Sequence, residues 1–219
     1  MAAHVATADR DSVIDLYHAR ASDYDRSLHR LTSRYRRRAI DRLWLTLGDA
    51  VIDVACGTGL SLPLLAERVG PSGCVVGIDL SPDMLAIAAE RVDALALENV
   101  TLLEAAVEDA TLEDGFQAAL FSLAHDVLQS KPALHNVFAR LRRGGRVAAF
   151  GAKSVPRWNL PLHFYVHRLA GRYMTSFEGF EAPWRNLAQY LDSLTVEELG
   201  FGGAYIASGV ASGGARGTR

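Results

Sequence analysis

The sequence predicts an α/β protein with a doubly wound, largely parallel sheet, and three observations lead there. From residue 50 onward, short apolar runs alternate with helical stretches of about 10–15 residues, the pattern of right-handed βαβ crossovers. Gly-rich or acidic turns punctuate this alternation, at 53–59, 79–82 and 144–145. The chain has 219 residues, 49% of them hydrophobic and 22% charged, enough for one sizeable core and too apolar for a disordered chain.

Asp11-Ser12 is a good N-cap, opening a first helix with Val13, Leu16 and Tyr17 on one face. A second helix is expected over 31–47, where Leu31, Tyr35, Ile40, Leu43 and Leu47 recur at helical spacing between arginines. AVIDVA (50–55) reads as a buried strand, 61–69 as a helix and CVVGID (74–79) as the next strand. Ser81-Pro82 supplies an N-cap and a proline in the first turn, opening a helix to about 95. VTLLEA (100–105) and QAALFSL (117–123) are the third and fourth strands; a helix over 131–142 leads through Gly144-Gly145 into a fifth, 146–151. TVEEL (195–199) and AYIASG (204–209), separated by Gly200–Gly203, suggest a closing antiparallel hairpin. The tail 211–219 has little to bury and is expected to be mobile.

The most informative string is Asp53-Val54-Ala55-Cys56-Gly57-Thr58-Gly59, at the turn from first strand to helix. Glycines there admit a ligand close to the backbone, and the helix start offers free N–H groups. Asp79 ends the second strand, where a carboxylate can take both hydroxyls of a ribose. A dinucleotide fingerprint fits poorly, because Leu62 stands where its third glycine belongs. Asp53 would repel a pyrophosphate and suits an ammonium or sulfonium. S-adenosylmethionine is therefore favoured over NAD.

DVACGTG, VVGIDLSPDML, LEAAVED and LRRGGRVAAFG resemble the successive motifs of class I S-adenosylmethionine-dependent methyltransferases, over about residues 10–210. The resemblance is strongest to the branch with ubiquinone/menaquinone C-methyltransferases and bacterial phosphatidylethanolamine N-methyltransferases. It implies a Rossmann-like seven-stranded sheet, parallel but for an antiparallel C-terminal strand. It also implies one domain over 1–210, with an N-terminal lid (10–47) and a cap (152–192). Asp53 and the loop Ala55, Cys56, Gly57, Thr58 and Gly59 would hold the methionine part of the cofactor. Asp79 would bind the ribose, and Leu80 and Met84 would flank the adenine. Glu108, or the backbone at Val107, would meet the adenine amino group, and Ala124 and His125 would lie beside the reactive methyl. Tyr17 and Tyr24 sit in the lid segment and are expected either to touch the cofactor or to anchor the lid; Tyr24 is also a catalytic candidate. Two positions depart from the family: Ala55 stands where its first glycine usually is, and Ala106 where many members have an acid.

His125-Asp126 is the leading candidate for acceptor contact or general base, against a histidine that only caps a helix. Residues 158–184 hold 7 of the chain's 18 aromatic residues. That density marks an acceptor wall, and Trp158, Tyr173, Phe177 and Trp184 are the predicted contacts, against the alternative of a helical mini-core. His163 and His167 share a helix spacing but lack a third ligand, so no metal is expected. Cys56 reads as packing rather than as a nucleophile.

The net charge of −2 gives no general attraction to nucleic acid, and the arginine-rich stretch 34–42 reads as a solvated helix face. The acceptor is thus expected to be a small molecule or a lipid, reached in the latter case by peripheral membrane contact through the basic helix. A binding protein without transfer activity is a third reading. Two cysteines, no signal-peptide pattern and no transmembrane-length apolar stretch predict a cytoplasmic protein, acting as monomer or homodimer.

Overall fold

The computed structural model describes residues 32–155, 160–171, 174 and 176–212. Within them, seven strands form one sheet: β1 (Ala50–Val54), β2 (Cys74–Asp79), β3 (Val100–Glu104), β4 (Phe116–Ser122), β5 (Leu141–Ala152), β6 (Leu191–Leu199) and β7 (Ala204–Ala211). Their order is β3-β2-β1-β4-β5-β7-β6. The first five strands pair in parallel, and β7 runs antiparallel to both β5 and β6. The doubly wound sheet and the closing hairpin are as the sequence predicts. Chain order reverses between β1 and β4, so the C-terminal ends of these strands open a crevice there, the usual ligand position in such sheets.

Helix α1 spans 32–41, α2 Leu62–Val69, α3 Pro82–Ala94, α4 His125–Gln129, α5 Lys131–Arg140 and α6 Leu160–Ala170. Ser81 caps α3 by accepting the Met84 N–H at 3.4 Å, and Ser130 caps α5 by accepting that of Ala133 at 3.3 Å. Apolar layers cover both sheet faces. One gathers Ile52, Val54, Phe121, Leu128 and Leu134; the other gathers Ile40, Val51, Leu65, Leu120 and Phe150 beneath α1 and α2.

Three expectations change. The helix predicted over 31–47 ends at 41, Trp44 turns to φ 41°, and Leu47 is 76% exposed rather than in the core. Polar bonds take over from helical ones there: Asp49 accepts the Thr46 N–H at 2.8 Å and pairs with Arg146 at 2.7 Å, while Arg146 also holds the Trp44 carbonyl. Strand β5 begins at Leu141, five residues early, across an irregularity opposite Phe116 and Ala118. Strand β6 likewise begins at Leu191, because β7 continues to Ala211 and offers it partners.

Candidate active site

The crevice is built by three turns at the C-terminal ends of β1, β2 and β4. After β1 the chain runs through Ala55 (φ 53°), Gly57 (φ 56°) and Gly59 (φ 75°) into α2. Ala55 holds a left-handed conformation that glycine adopts freely and alanine adopts at about 1 kcal/mol, which accounts for the residue usual there in the resembling family. The two glycines do different things. A Cβ on Gly57 would meet nothing within 4 Å, so open space faces it; one on Gly59 would lie 2.8 Å from Leu62 Cδ1 and 3.1 Å from Ala88 Cβ. Gly57 borders open space, and Gly59 lets α2 and α3 close on the loop.

Asp79 binds the loop to the end of β2. Its Oδ2 accepts the Gly57 N–H at 2.7 Å and its Oδ1 the Ser81 N–H at 2.9 Å. With about four acceptor sites on its two oxygens, the carboxylate keeps capacity for a further donor. Burial pushes its pKa up, and the N–H groups of Ser81, Gly57 and Leu80 pull against that. Leu80 is half-buried beside it, and Met84 is buried under the turn.

Asp53 is the anomaly of the site. It is 0% exposed, and neither carboxylate oxygen has a hydrogen-bond partner among the described residues. An unsatisfied buried carboxylate costs several kcal/mol unless a ligand or a proton meets it. Burial raises its pKa to about 7, with Arg36 opposing and Asp79 adding to the rise. Arg36, on α1, is 2% exposed and lies over the Phe150 ring at 5.8 Å. The solvated-face reading of 34–42 therefore fails for Arg36, whose neighbours Asp53 and Phe150 no local pattern could supply. It holds for Arg38 and Arg42, which are partly exposed and both pair with Glu197, at 2.6 and 3.2 Å.

Because the folded pKa of Asp53 lies above its unfolded 3.8, its contribution to stability is fully present below pH 4 and is lost as pH rises through about 7. Without ligand, the parent should lose up to about 4 kcal/mol over that window relative to Asp53→Asn. Urea unfolding at pH 4.5 and 7.5 checks this; equal pH slopes in the two proteins would refute it.

Two framing residues carry no sequence signal of their own. Arg91 Nε donates to the Thr58 carbonyl at 3.0 Å, fixing the glycine loop from α3. Asn136 Nδ2, on α5, donates to the Val107 and Ala110 carbonyls at 2.8 and 2.9 Å, pinning the loop after β3. The Val107 carbonyl thus already accepts one bond, and Glu108 is exposed. Thr58 and Cys56 are buried, and burial raises the Cys56 thiol well above its ordinary value, with Asp53 and Asp79 adding to the rise. An enclosed thiol held protonated by burial is a poor nucleophile.

At the end of β4, Leu123 (φ 59°) and Ala124 turn the chain into α4, whose first residue is His125. His125 is 7% exposed; its Nε2 lies 3.0 Å from the Glu178 carbonyl, its ring meets Phe180 edge-on at 5.6 Å, and its Nδ1 has no partner among the described residues. Burial lowers its pKa below 6.5, against the opposing influence of Asp126 and the Glu178 carbonyl. Phe180 in turn meets Phe177 and His167, and Phe177 stacks on His167 at 5.0 Å. Trp184 joins a different group, against Tyr205 at 4.8 Å. Phe180 and Trp184 pack inward, as the mini-core alternative has it, and Phe177 is exposed. Tyr17, Tyr24, Trp158 and Tyr173 lie outside the described residues. His163 and His167 are engaged with the Val155 carbonyl at 2.8 Å and Ser154 Oγ at 3.2 Å. No cluster of three or more metal-binding side chains occurs among the described residues, and no helix there is long and apolar enough to cross a membrane.

An orphaned carboxylate, an open cradle over Gly57 and an Asp79 with acceptor capacity to spare fit a cationic, ribose-bearing ligand. Comparisons with known proteins agree. Residues 51–145 match the family model described as a methyltransferase domain. The chain is 25% identical over 206 residues to a demethylmenaquinone methyltransferase of Lactococcus lactis, covering 87% of this chain and 81% of that one. It is 32% identical over 145 residues to the aklanonic acid methyltransferase DauC of a Streptomyces species, covering 64% of each. Its fold matches a geranyl diphosphate C-methyltransferase from Streptomyces coelicolor, solved with S-adenosyl-L-homocysteine, at TM-score 0.68 and 16% identity, over 94% of this chain and 99% of that one. In its motifs, its sheet order and its relatives the chain is similar to the class I methyltransferases, enzymes whose cofactor is S-adenosylmethionine.

Proposed function

We propose that this enzyme methylates a small, largely apolar organic molecule in the cytoplasm, with residues 10–47 as a lid over the donor and 152–192 as a cap over the acceptor. The observation that carries the reading is the partnerless buried carboxylate of Asp53 beside the open cradle of Gly57. S-adenosylmethionine supplies an electrophilic methyl on a sulfonium, so the chain's main task is positioning. Asp53 would neutralise the donor's cationic methionine end, Asp79 would take the ribose hydroxyls, Leu80 and Met84 would bound the adenine, and the Ala106–Ala110 loop would meet its edge. Thr58, Cys56 and Gly59 would shape the loop from behind. Ala124, His125 and Phe177 would border the acceptor, joined by Trp158, Tyr173 and Trp184 of the cap, with Tyr17 and Tyr24 contributed by the lid.

The relatives' named acceptors, demethylmenaquinone and aklanonic acid, support a small-molecule acceptor. A phospholipid acceptor drawn in by the basic helix has less support, since Glu197 holds Arg38 and Arg42 and Arg36 is buried. Calorimetry should show S-adenosylmethionine binding and NAD not, and S-adenosylhomocysteine should be released on incubation with a panel of small aromatic acceptors. Tighter binding of NAD than of S-adenosylmethionine would refute the reading, and binding without release would leave the protein a cofactor-binding one.

A further inference from the structure

We propose that the protein docks on an anionic lipid bilayer through the outer face of α6 and the tip between β6 and β7. The proposal rests on the reading of a largely apolar acceptor only for what the docking serves, since such a molecule partitions into lipid; the lipid is the platform and not the methyl acceptor. Helix α6 is apolar on both sides. Its inner face is occupied: Val166 and Ala170 are buried with Val155 and Phe180, and His163 and His167 meet the Val155 carbonyl and Ser154 Oγ. Its outer face still carries Leu160, Phe164 and Tyr165, all exposed, Phe164 to 70%. A helix that is hydrophobic all round belongs under a cover, and among the described residues nothing covers that side.

The tip repeats the pattern on a second element. Phe201 is 87% exposed and holds φ 55°, a left-handed conformation that suits glycine and strains any larger residue. The ring gains nothing by burial within the chain and strains the backbone that presents it. A Cβ on Gly203 would lie 3.2 Å from Val166 Cγ2, so tip and helix are in contact. Ala204 pairs with Ala152 at the end of β5, which runs parallel to β4. Both elements therefore stand at the sheet edge where β1, β2 and β4 open on the crevice.

Charge selects the partner. From Val155 to Phe177 the sequence has three arginines and no acid, and Arg168 is exposed on α6 one turn beyond Phe164. Beside the tip, a Cβ on Gly200 would lie 3.7 Å from the Tyr35 hydroxyl, and the Arg34 guanidinium lies over the Tyr35 ring at 4.6 Å. Arg34 and Arg37 of α1, both exposed, thus flank Phe201, whereas Arg36, Arg38 and Arg42 take no part. The acids of the hairpin are already engaged: Glu197 with Arg38 and Arg42, and Glu198 with Lys153 at 3.0 Å. Glu178 and Glu181, the exposed acids of the cap, lie on the stretch that Gly179 and Pro183 hold against Gln129 of α4. Protruding apolar rings interleaved with arginines match a bilayer interface, rings among the headgroups and guanidiniums on lipid phosphates.

Sedimented with the full chain at about 0.1 M salt, phosphatidylglycerol vesicles should bind it about tenfold or more tightly than phosphatidylcholine vesicles, and about 0.5 M salt should remove most of that preference. Phe201→Gly should weaken binding to phosphatidylglycerol about fivefold or more without lowering the urea midpoint, because glycine relieves the left-handed strain. Phe164→Ser and Arg168→Gln should each weaken it about threefold or more. Trp44 is the control: it is exposed too, but its carbonyl is held by Arg146 at the N-terminal edge of the sheet, so Trp44→Ser should stay within twofold of the parent. Equal binding to the two lipids, a Phe201→Gly protein within twofold of the parent, a Trp44→Ser loss as large as that of Phe201→Gly, or a lipid-free dimer that Phe201→Gly dissociates would each overturn the proposal. A parent that binds the vesicles but not S-adenosylmethionine would instead overturn the cofactor reading and leave the docking face standing.

Discussion

Asp79→Ala should weaken S-adenosylmethionine binding by about 1.5–3 kcal/mol, roughly 10- to 150-fold in Kd. Two losses add. The ribose hydroxyls lose a charged acceptor, and the Gly57 and Ser81 N–H groups, bound at 2.7 and 2.9 Å, lose the carboxylate that holds the loop to β2. Asp79→Asn separates them: an amide oxygen can still serve one N–H, but its NH2 group repels the other. The asparagine variant should therefore fall between parent and alanine. Calorimetric titration decides; a Kd for the alanine variant within twofold of the parent would remove Asp79 from the site.

Valine at Gly59 should destabilise the fold by about 2–5 kcal/mol, whereas valine at Gly57 should cost only about 1–2 kcal/mol yet abolish cofactor binding. Both positions have positive φ, 75° and 56°, so a branched side chain is strained at each. At Gly59 overpacking adds to the strain, because a Cβ lies 2.8 Å from Leu62 and 3.1 Å from Ala88. At Gly57 a Cβ meets only open space, which is where the donor's methionine end is proposed to lie. Denaturant unfolding without ligand and calorimetry with it measure the two effects separately. Equal destabilisation at both positions, or donor binding retained by a folded Gly57→Val protein, would contradict this division of labour.

The legible parts of the site were those whose chemistry depends on neighbours in the chain. Gly57 and Gly59 are read from one turn, and Ser81 from the proline that follows it. Asp79 is read from its place at the end of an apolar run. Asn136 and Arg91 stayed hidden because each serves a loop about 30 residues away through a backbone carbonyl, and backbone carbonyls leave no trace in sequence. The helix predicted over 31–47 failed for a related reason. Its apolar spacing continues to Leu47, but the Asp49–Arg146 pair joins residues 97 positions apart and holds 44–49 as a turn.

By itself the sequence determined the order of strands and helices, the doubly wound sheet, the turn that admits a cofactor and the preference for a cationic one, because periodicity, glycine and carboxylate placement act over a few residues. Only the tertiary structure decided which charges leave water. Arg36 is one arginine among several in a helical run, and it alone of them is buried, under the sheet beside Asp53, while Arg38 and Arg42 stay partly exposed on Glu197. His125 gained a fixed tautomer only when a carbonyl 53 residues away came to rest on its Nε2. Burial and the company of distant groups set the protonation of Asp53 and His125, and both are properties of the folded chain.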